Sequence, residues 1–547
     1  MDAYASVGIL FSFPLIRKER AYEEPTRENR DRLPQIVQGQ GHRPVPLHPD
    51  LQEGEVMARA NTRNATGVAV PSRGRYVGSG NGPTFQPIDI GHPRYVAVIE
   101  PDTAFWALVQ RDQLADIALG GDLARAYRQK AASFAAEMDT LRFGLKPSAV
   151  YFNPTERCNL NCAYCYIPET MRRHGQHMDR PRLLEALAIL KRYFRSTMPK
   201  GSVPQIVFHG AEPMLNREAV FAGIERYGDD FRFGIQTNAT LLDDAALAFL
   251  RDHDVSIGIS LDAATAAIAD RTRADWQGRG VHAQVTDALR RLKGYPAWSV
   301  ICTISKANLR HLTKLVEFLY RHEVPTCLMN ILRCTLPKAR CVKPDDRSAA
   351  KSFLQALDRS WELYQQTGRK LIVGNFANIL LAIVAPTARR LMCDLSPCGG
   401  GRCFFALAPN GDLFPCSEFI GLKEFCGGNL FRDRIADVLV SEPFRRVTGR
   451  KVEAIDPCRR CAIRHFCGAP CPAEAYQMNG GMDQVGAFCE YYEEQVRYAF
   501  RLIAEEKTDD FLWDGWDRGM RQSFGVPTWP LHPAHAAEEN GSSPSTI

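Results

Sequence analysis

Three cysteines within eight residues constrain this chain more than any other feature of its sequence. They are Cys158, Cys162 and Cys165, in the stretch NPTERCNLNCAYCYIP, and their spacing is C-x3-C-x2-C. Three thiols cannot bridge one another without leaving one over, and in a reducing compartment such groups are more often ligands of a soft metal. Because iron–sulfur clusters usually take four cysteines, three leave one iron open to a small molecule. The alternatives are a zinc knuckle and scattered core thiols.

The distribution of cysteines favours a reducing compartment. The chain of 547 residues contains 17 cysteines, an odd number, and most of them fall in tight clusters. Disulfide frameworks are typical of short secreted chains, and the first residues lack the pattern of a secretory signal. The longest apolar runs, 7–16 and 379–384, are shorter than a membrane span requires. We therefore expect a cytoplasmic protein that does not cross a membrane.

Composition and charge are those of an ordinary soluble protein. Hydrophobic residues make up 45% of the chain and charged residues 24%, and the length predicts two to four domains. The net charge of +6 is mild for this length, and no basic patch is interleaved with aromatic residues. Nucleic acid is therefore not expected as a partner.

Apolar strands and helical segments alternate from Ala149 onward. Six segments read as buried strands, and the helices between them provide the crossovers. The predicted strands are 149–153, 205–209, 232–237, 255–261, 298–305 and 326–332. This alternation predicts an α/β fold, a parallel (β/α)6 partial TIM barrel over residues 148–345, with functional residues at the carboxyl ends of the strands.

Four further segments surround the predicted barrel. They are a small N-terminal α+β module (1–147), a bridging helical segment (346–392), a loop-rich cysteine domain (393–490) and a C-terminal helix with a disordered tail (491–547). In the N-terminal module we expect strands at 95–100 and 105–109, helices at 111–118 and 123–141, and irregular segments at 17–32 and 78–87.

A second group of cysteines follows the barrel. Their order is C-x4-C-x12-G-x4-C, a gap, C-x2-C-x5-C-x3-C, another gap, and a last cysteine. The residues are Cys393, Cys398, Gly411, Cys416, Cys458, Cys461, Cys467, Cys471 and Cys489. This spacing indicates further metal ligation, for which two zinc sites are the alternative to iron.

The three-cysteine loop, with the aromatic Tyr166 directly after it, resembles the radical S-adenosylmethionine (radical SAM) family. The downstream pattern resembles the SPASM extension of that family. The resemblance implies that the open iron binds the amino and carboxylate groups of SAM, and that reduction yields a 5′-deoxyadenosyl radical. It also implies two auxiliary clusters, so that three [4Fe-4S] clusters and SAM are the expected cofactors.

The same resemblance implies which residues contact SAM. Gly210-Ala211-Glu212-Pro213 looks like the family's GGEP motif, whose Glu accepts from the SAM ammonium group. Asn238 matches the family motif near the methionyl group, and Ser260 matches the residue that contacts the ribose. Arg273 aligns with an arginine near the SAM carboxylate, which suits a bidentate fork. Together with Tyr166, these are the expected cofactor-binding residues.

For the auxiliary clusters, the family arrangement implies ligands that interleave along the chain. The first would take Cys393, Cys398, Cys416 and Cys471, and the second Cys458, Cys461, Cys467 and Cys489. Such interleaving would staple a loop-rich region that has little core of its own. Cys403 is the rival of Cys393, although RCFFAL reads as the start of a strand with a buried thiol. The cysteines without cluster spacing are expected to be structural or free: Cys302, Cys327, Cys334, Cys341 and Cys426.

Relatives with SPASM domains mostly modify side chains of proteins or peptides. The resemblance therefore implies maturation of a ribosomally made peptide or protein, by oxidation or cross-linking. In sulfatase maturases of this family an aspartate base follows the cysteine of the G-x4-C motif. Here Ser417 takes that position. Glu418, one residue further along the chain, is a candidate catalytic residue.

Partners and alternatives follow from the same reading. The N-terminal module would bind a leader segment of the substrate or cap the barrel, and a flavodoxin or ferredoxin would donate electrons. The alternative functions are formylglycine formation in a sulfatase, dehydrogenation of a small alcohol or sugar, and a non-catalytic electron carrier. The matches at Glu212, Ser260 and Arg273 count against a carrier.

Overall fold

Two β-sheets form the framework of the molecule. The computed structural model describes residues 9–11, 84–114, 122–389 and 391–516. Its strands are β1 (Ile9–Phe11), β2 (Gln86–Ile88), β3 (Tyr95–Glu100), β4 (Phe105–Gln110), β5 (Ala149–Phe152), β6 (Gln205–Phe208), β7 (Arg232–Thr237), β8 (Ser256–Ser260), β9 (Trp298–Ile304), β10 (Thr326–Ile331), β11 (Ile372–Val373), β12 (Phe404–Leu407), β13 (Asp412–Phe414) and β14 (Gly428–Asn429).

Strands β5 to β10 lie side by side in chain order, and each neighbouring pair is parallel. They correspond to the six segments predicted after Ala149, so the predicted α/β fold is confirmed. All four residues of β6 are buried, as are four of the five in β8. Strands buried to this extent have both faces covered, and parallel neighbours need crossover connections between them.

Helices supply these crossovers. The α-helices are α1 (Asp122–Asp139), α2 (Glu169–His174), α3 (Arg180–Thr197), α4 (Arg217–Tyr227), α5 (Asp244–Asp252), α6 (Ala266–Ala269), α7 (His282–Leu292), α8 (Leu312–Arg321), α9 (Pro337–Cys341), α10 (Asp346–Thr367), α11 (Gly374–Val384), α12 (Ile435–Leu439), α13 (Glu442–Thr448), α14 (Arg464–Cys467), α15 (Pro472–Asn479) and α16 (Cys489–Ala504). In α3, Leu183, Leu187 and Leu190 recur at helical spacing and are buried. None of the helices in the described ranges is long and apolar enough to cross a bilayer.

The main sheet is wider than the sequence predicted, with the order β11-β10-β9-β8-β7-β6-β5-β12-β13-β14. β11 pairs in parallel with β10 at one edge, and β12 pairs in parallel with β5 at the other. β12 follows Cys403 directly, and its four residues are buried. Since β13 and β14 continue from β12 as antiparallel neighbours, main-chain hydrogen bonds join the cysteine-rich region to the barrel.

The N-terminal strands form a separate antiparallel sheet in the order β1-β4-β3-β2. The strands predicted at 95–100 and 105–109 and the helix predicted at 123–141 are present. The helix predicted at 111–118 was wrong in its first residues, because Arg111–Gln113 form a short 3-10 turn. The irregular segment predicted at 78–87 was wrong at its end, where Gln86 and Pro87 lie in β2. The rest of the 111–118 helix beyond Leu114, the segment 17–32, residues 78–83 and the tail after residue 516 lie outside the described residues.

Trp106 attaches this N-terminal sheet to the rest of the molecule. Its Nε1 donates to the main-chain oxygen of Ile383 at 3.0 Å, and its ring meets that of Phe500 edge-on, with 5.4 Å between centroids. Ile383 lies in α11 and Phe500 in α16. The N-terminal sheet therefore packs against the helices that follow the barrel.

Candidate active site

The three-cysteine loop leaves the carboxyl end of β5 and pairs with a second segment of the chain. The main-chain nitrogen of Asn161 donates to the oxygen of Ala274, and that of Ala163 donates to Thr272, each at 2.8 Å. The second segment follows β8 and includes Arg273. This antiparallel pairing holds the loop against the residues that the sequence assigned to SAM binding.

The thiols of Cys158, Cys162 and Cys165 lie together in this loop. Burial raises the pKa of each of them, to about 11 for Cys165, and the neighbouring thiols raise it further for Cys158 and Cys165. The guanidinium groups of Arg273 and Arg172 act in the opposite direction on Cys162. Positive charge of this kind favours the thiolates that a metal requires.

Tyr164, which the sequence analysis did not single out, links the loop to two charged residues. Its hydroxyl donates to Oδ2 of Asp262 at 2.5 Å and accepts from Nη1 of Arg273 at 2.7 Å. Asp262 lies just after β8, and it also accepts from the main-chain nitrogen of Thr303 at 2.9 Å. The position of Tyr164 between two cysteines of the loop was the available signal.

Glu212 is fully buried and fixed by three hydrogen bonds. Its Oε1 accepts from the main-chain nitrogen of Met214 at 3.0 Å and from Oγ1 of Thr237 at 2.7 Å. Its Oε2 accepts from the main-chain nitrogen of Asn238 at 2.8 Å. Burial raises its pKa, and these hydrogen bonds act against that shift. A carboxylate held this way retains acceptor capacity for one ammonium group.

The turn before Glu212 requires glycine at its first position. Gly210 has a φ of 101°, and a Cβ there would lie 2.2 Å from Nδ2 of Asn153. Ala211, which replaces the family's second glycine, is not among the residues with positive φ. The departure from GGEP therefore carries no backbone strain.

The other predicted SAM contacts lie around the same end of the sheet. The side chain of Asn238, just after β7, donates to Oδ1 of Asn159 in the loop at 2.8 Å. Ser260 is the last residue of β8. The Nε of Arg273 is buried and has no partner among the residues described. An unsatisfied guanidinium nitrogen that is buried favours an anionic partner.

A second group of thiols comes from four separate points of the chain. Burial raises the pKa of Cys393, and the charges of Cys398 and Cys471 add to that effect. Burial also raises the pKa of Cys416, and the charges of Glu418, Cys398 and Cys393 raise it further. For Cys471, burial raises the pKa to about 12, with Cys398 again contributing. These four thiols are therefore close enough to act on one another's pKa, and their ligation of one cluster stays a prediction.

Cys403, the rival ligand, lies just before β12. It is fully buried, and its pKa is raised by burial to about 12, with Cys398 adding to the shift. Part of Cys393 reaches solvent, but protein atoms surround its thiol, which interacts with the thiols of both Cys398 and Cys471. The arrangement favours Cys393 as a member of the group and Cys403 as a core thiol.

A third group contains Cys458, Cys461, Cys467 and Cys489. Burial raises the pKa of Cys467, and the thiols of Cys461, Cys489 and Cys458 all act on it. Cys489 is exposed and begins α16. No three His, Cys, Asp or Glu side chains in the described ranges converge as one metal ion would require. In a four-iron cubane each thiolate binds a different iron, so its ligands need not converge on one atom.

A buried polar region lies between the three-cysteine loop and the second group of thiols. We call that second group, Cys393, Cys398, Cys416 and Cys471, the Cys416 group. Tyr166 shows where this region lies, because it is close to residues of both thiol groups. Burial raises its pKa, and the charges of Glu418, Cys165 and Cys416 raise it further. Tyr151 also acts on the pKa of Tyr166, and its ring meets that of His209 with 5.2 Å between the centroids. We use the name polar chamber for this set of buried polar side chains, whose members are Tyr151, Tyr166, His209, Ser417 and Glu418.

Four buried atoms of the polar chamber have no hydrogen-bond partner among the described residues: Oη of Tyr166, Nδ1 of His209, Oγ of Ser417 and Oε2 of Glu418. An unsatisfied buried group costs about 1–3 kcal/mol, so a hydrogen-bond partner for any of these atoms would be stabilising. Burial raises the pKa of Glu418 to about 7, and burial lowers that of His209 to about 4.

Arg333, a further residue that sequence reasoning missed, borders the chamber two residues after β10. Its Nη1 donates to Oη of Tyr492 at 3.3 Å, and its charge lowers the pKa of Glu418. On the same side, Glu474 accepts from the main-chain nitrogen of Cys334 at 2.7 Å. The signal for Arg333 was its place at the carboxyl end of a buried parallel strand.

Comparison with known proteins gives matches across most of the chain. Residues 152–319 match the Radical SAM superfamily, and residues 398–462 match SPASM, described as an iron-sulfur cluster-binding domain. An uncharacterized protein of Archaeoglobus fulgidus is 39% identical over 406 residues, which are 74% of this chain and 92% of that protein. A cysteine-type anaerobic sulfatase-maturating enzyme of Clostridium perfringens is 23% identical, over 66% of this chain and 98% of that enzyme.

A solved structure of histidine-tagged anSMEcpe with bound AdoMet shares the fold. Its TM-score is 0.58 at 18% identity, and the match covers 68% of this chain and 97% of that one. The two family matches, and not the structural likeness, give SAM and several [4Fe-4S] clusters as the cofactors of this chain. With the strand order, the three thiol groups and these relatives in agreement, the chain belongs to the radical SAM superfamily and carries the SPASM iron–sulfur extension.

Proposed function

We propose that this radical SAM enzyme abstracts a hydrogen atom from a side chain of a ribosomally made peptide or protein, which is then oxidised or cross-linked. The observation that carries the proposal is the polar chamber. It lies between the three-cysteine loop and the Cys416 group, and four of its buried atoms have no partner among the described residues. A polar substrate side chain that reached these residues would hydrogen-bond to one or more of these atoms and would lie near both thiol groups.

Residues beside the loop are proposed to orient SAM. Arg273 would bind its carboxylate through the unsatisfied Nε, and Glu212 would accept from its ammonium group. Asn238 and Ser260 would contact the methionyl group and the ribose. When bound to the cluster held by the three-cysteine loop, SAM supplies the 5′-deoxyadenosyl radical that abstracts hydrogen.

The two downstream thiol groups are proposed to hold the auxiliary [4Fe-4S] clusters. The ligands would be Cys393, Cys398, Cys416 and Cys471 for the first, and Cys458, Cys461, Cys467 and Cys489 for the second. The grouping is supported by the mutual effects of these thiols on one another's pKa. Tyr151 and Tyr166 border the first group on the side of the chamber.

Glu418 is the proposed acceptor of the proton that the substrate side chain loses. Its charge acts on both Tyr166 and Cys165, so the carboxylate faces the side of the chamber where abstraction would occur. Arg333 lies on its other side and would hold the carboxylate in place. A carboxylate within reach of the reacting group is the minimum that general-base catalysis requires.

Formylglycine formation in a sulfatase is the second candidate. The observation that favours it is a sequence similarity that extends over 98% of the length of the Clostridium perfringens sulfatase-maturating enzyme. Ser417 stands where that class has its aspartate base, which counts against it, but Glu418 is one residue away and borders the chamber. Both candidates share hydrogen abstraction from a peptide side chain and differ in the product.

Substrate binding and electron supply complete the proposal. The N-terminal module would bind a leader segment of the substrate, although its packing through Trp106 is equally suited to a cap on the barrel. A flavodoxin or ferredoxin would reduce the cluster at the three-cysteine loop. We further propose the functional divisions 1–147, 148–345, 346–392, 393–490 and 491–547.

The test uses deuterated peptides and the anaerobically reconstituted enzyme with SAM and dithionite. Short peptides would carry cysteine or serine with deuterium on the β-carbon, one of them with a sulfatase recognition sequence. We expect deuterium in 5′-deoxyadenosine and a matching change in peptide mass, and formylglycine in the sulfatase peptide would select the second candidate. Transfer from a deuterated sugar or alcohol, and from none of the peptides, would overturn the proposal.

A further inference from the structure

Arg172 directs its side chain into the three-cysteine loop. It is 4% exposed, its Nε donates to the main-chain oxygen of Ile167 at 3.0 Å, and its Nη1 donates to the oxygen of Leu160 at 3.1 Å. The same Nη1 reaches Oδ1 of Asn161, also at 3.1 Å. These acceptors lie on both sides of Cys162 and Cys165, so one guanidinium group ties the two ends of the loop together.

The ring of Trp276 packs against the guanidinium group of Arg172. The ring centroid lies 5.0 Å from the Arg172 guanidinium carbon, and Nε1 of the ring donates to the main-chain oxygen of Cys158 at 2.8 Å. The neighbouring Arg173 stacks on the same ring at 3.8 Å, but it is exposed and its Nε pairs with Glu169. The two adjacent arginines therefore share one aromatic neighbour, while the buried one bonds the loop and the exposed one pairs within its own helix.

We propose that Arg172 is a positioning residue that holds the three-cysteine loop in its cluster-binding shape and, through its charge, raises the reduction potential of the SAM-binding cluster. The inference rests on the assignment of that cluster to Cys158, Cys162 and Cys165. It adds a role for a residue outside the motifs that bind iron and SAM.

Two physical reasons support this role. A planar guanidinium fork can bond several carbonyl oxygens at once, which a lysine ammonium group on a flexible stem does poorly. A buried positive charge beside a cluster favours the form with the additional electron, and net charge and hydrogen bonding are known determinants of cluster potential. Residues that orient metal ligands in this way commonly affect metal affinity as strongly as activity.

The experiment compares Arg172→Gln and Arg172→Lys with Arg173→Gln in the full-length, anaerobically reconstituted enzyme. The part of the reduced-cluster EPR signal that changes on addition of SAM reports the three-cysteine site alone, and its redox titration gives the potential. We expect a more negative potential in Arg172→Gln and the wild-type value in Arg173→Gln. An unchanged potential in a loaded Arg172→Gln protein would overturn the proposal.

Arg172→Lys separates the effect of the charge from the effect of the hydrogen bonds to the loop. It also tests the proposal if the Arg172→Gln protein does not bind iron. It keeps the charge and loses the fork, so we expect a potential close to wild type and faster loss of the SAM-responsive signal to a chelator. A clearly shifted potential in this variant, or chelation as slow as in the wild type, would contradict the inference. A wild-type enzyme with no SAM-responsive signal would instead refute the assignment of the cluster itself.

Discussion

Glu418 lies between the two thiol groups that border the polar chamber, so its replacement separates two steps of the proposed reaction. In Glu418→Gln we expect iron content and 5′-deoxyadenosine release to stay near wild type, because the proposal gives this residue no part in holding SAM or iron. Formation of the modified peptide should fall about 100-fold, the range typical of a lost general base. Product and 5′-deoxyadenosine are measured together by mass spectrometry.

The matched control is Glu424→Gln, a nearby exposed glutamate that accepts from Oη of Tyr476 at 2.9 Å. It should leave both yields unchanged. Equal losses of 5′-deoxyadenosine and peptide product in Glu418→Gln would place the residue in SAM binding and contradict its proposed role.

His209 makes stability depend on pH. Burial lowers its pKa from the ordinary 6.5 to about 4, so between these values the unfolded chain binds the proton and the folded chain does not. Stability from this group is full above pH 6.5 and falls as the pH drops toward 4, by about 1.4 kcal/mol at pH 5.5. We expect the decrease in Tm from pH 7.5 to pH 5.5 to be smaller in His209→Gln. Parallel decreases in both proteins would show that His209 does not titrate there.

At the scale of single residues, the sequence identified the side chains that occur in a fixed spacing. The loop cysteines and Glu212 stand in such motifs, whereas Tyr164 acts through Asp262, 98 residues further along. Arg172 bonds main-chain oxygens of the loop, and a main-chain oxygen carries no sequence signal. Contacts of this kind depend on how distant segments pack, which periodicity does not encode.

At the scale of elements, β12 connects the barrel to the cysteine-rich region, and Phe405 is its buried anchor. The side chain is completely buried, with its ring 6.3 Å from that of Tyr193 in α3. Phe405→Ala should lower the free energy of unfolding by about 3–5 kcal/mol through lost burial and a cavity. Urea unfolding of the anaerobic protein measures this change.

Phe143→Ala is the matched control, because Phe143 is 47% exposed. It should cost less than about 1 kcal/mol, mainly the lost contact between its ring and the Lys451 ammonium group. Similar losses in the two variants would mean that β12 does not anchor the cysteine-rich region as described.

The same elements show how far periodicity predicts a fold. β5 to β10 were predictable because apolar strands regularly alternate with helices, and each strand pairs with its neighbour in the chain. β11 has two residues, too few for a pattern. β12 was recognisable as a strand, but its pairing with β5 joins residues far apart in sequence. Local patterns do not specify such partners.

At the scale of the whole molecule, the proposed ligands bind distant parts of the chain together. The first auxiliary set runs from Cys393 to Cys471 and the second from Cys458 to Cys489, so each set encloses part of the other. Through β12 this region also shares the sheet of the barrel. The polar chamber is therefore bordered by both regions, and we expect its shape to depend on the folding of both.

The most direct test of this arrangement is to measure iron and 5′-deoxyadenosine in the wild type and in a variant with Cys158, Cys162 and Cys165 all replaced by Ala. After anaerobic reconstitution, three [4Fe-4S] clusters predict about twelve irons per wild-type chain, and about eight in the variant. The variant should release no 5′-deoxyadenosine from SAM under reduction. Release that persists in the variant, or a wild-type chain with about four irons, would contradict the assignment of the three thiol groups.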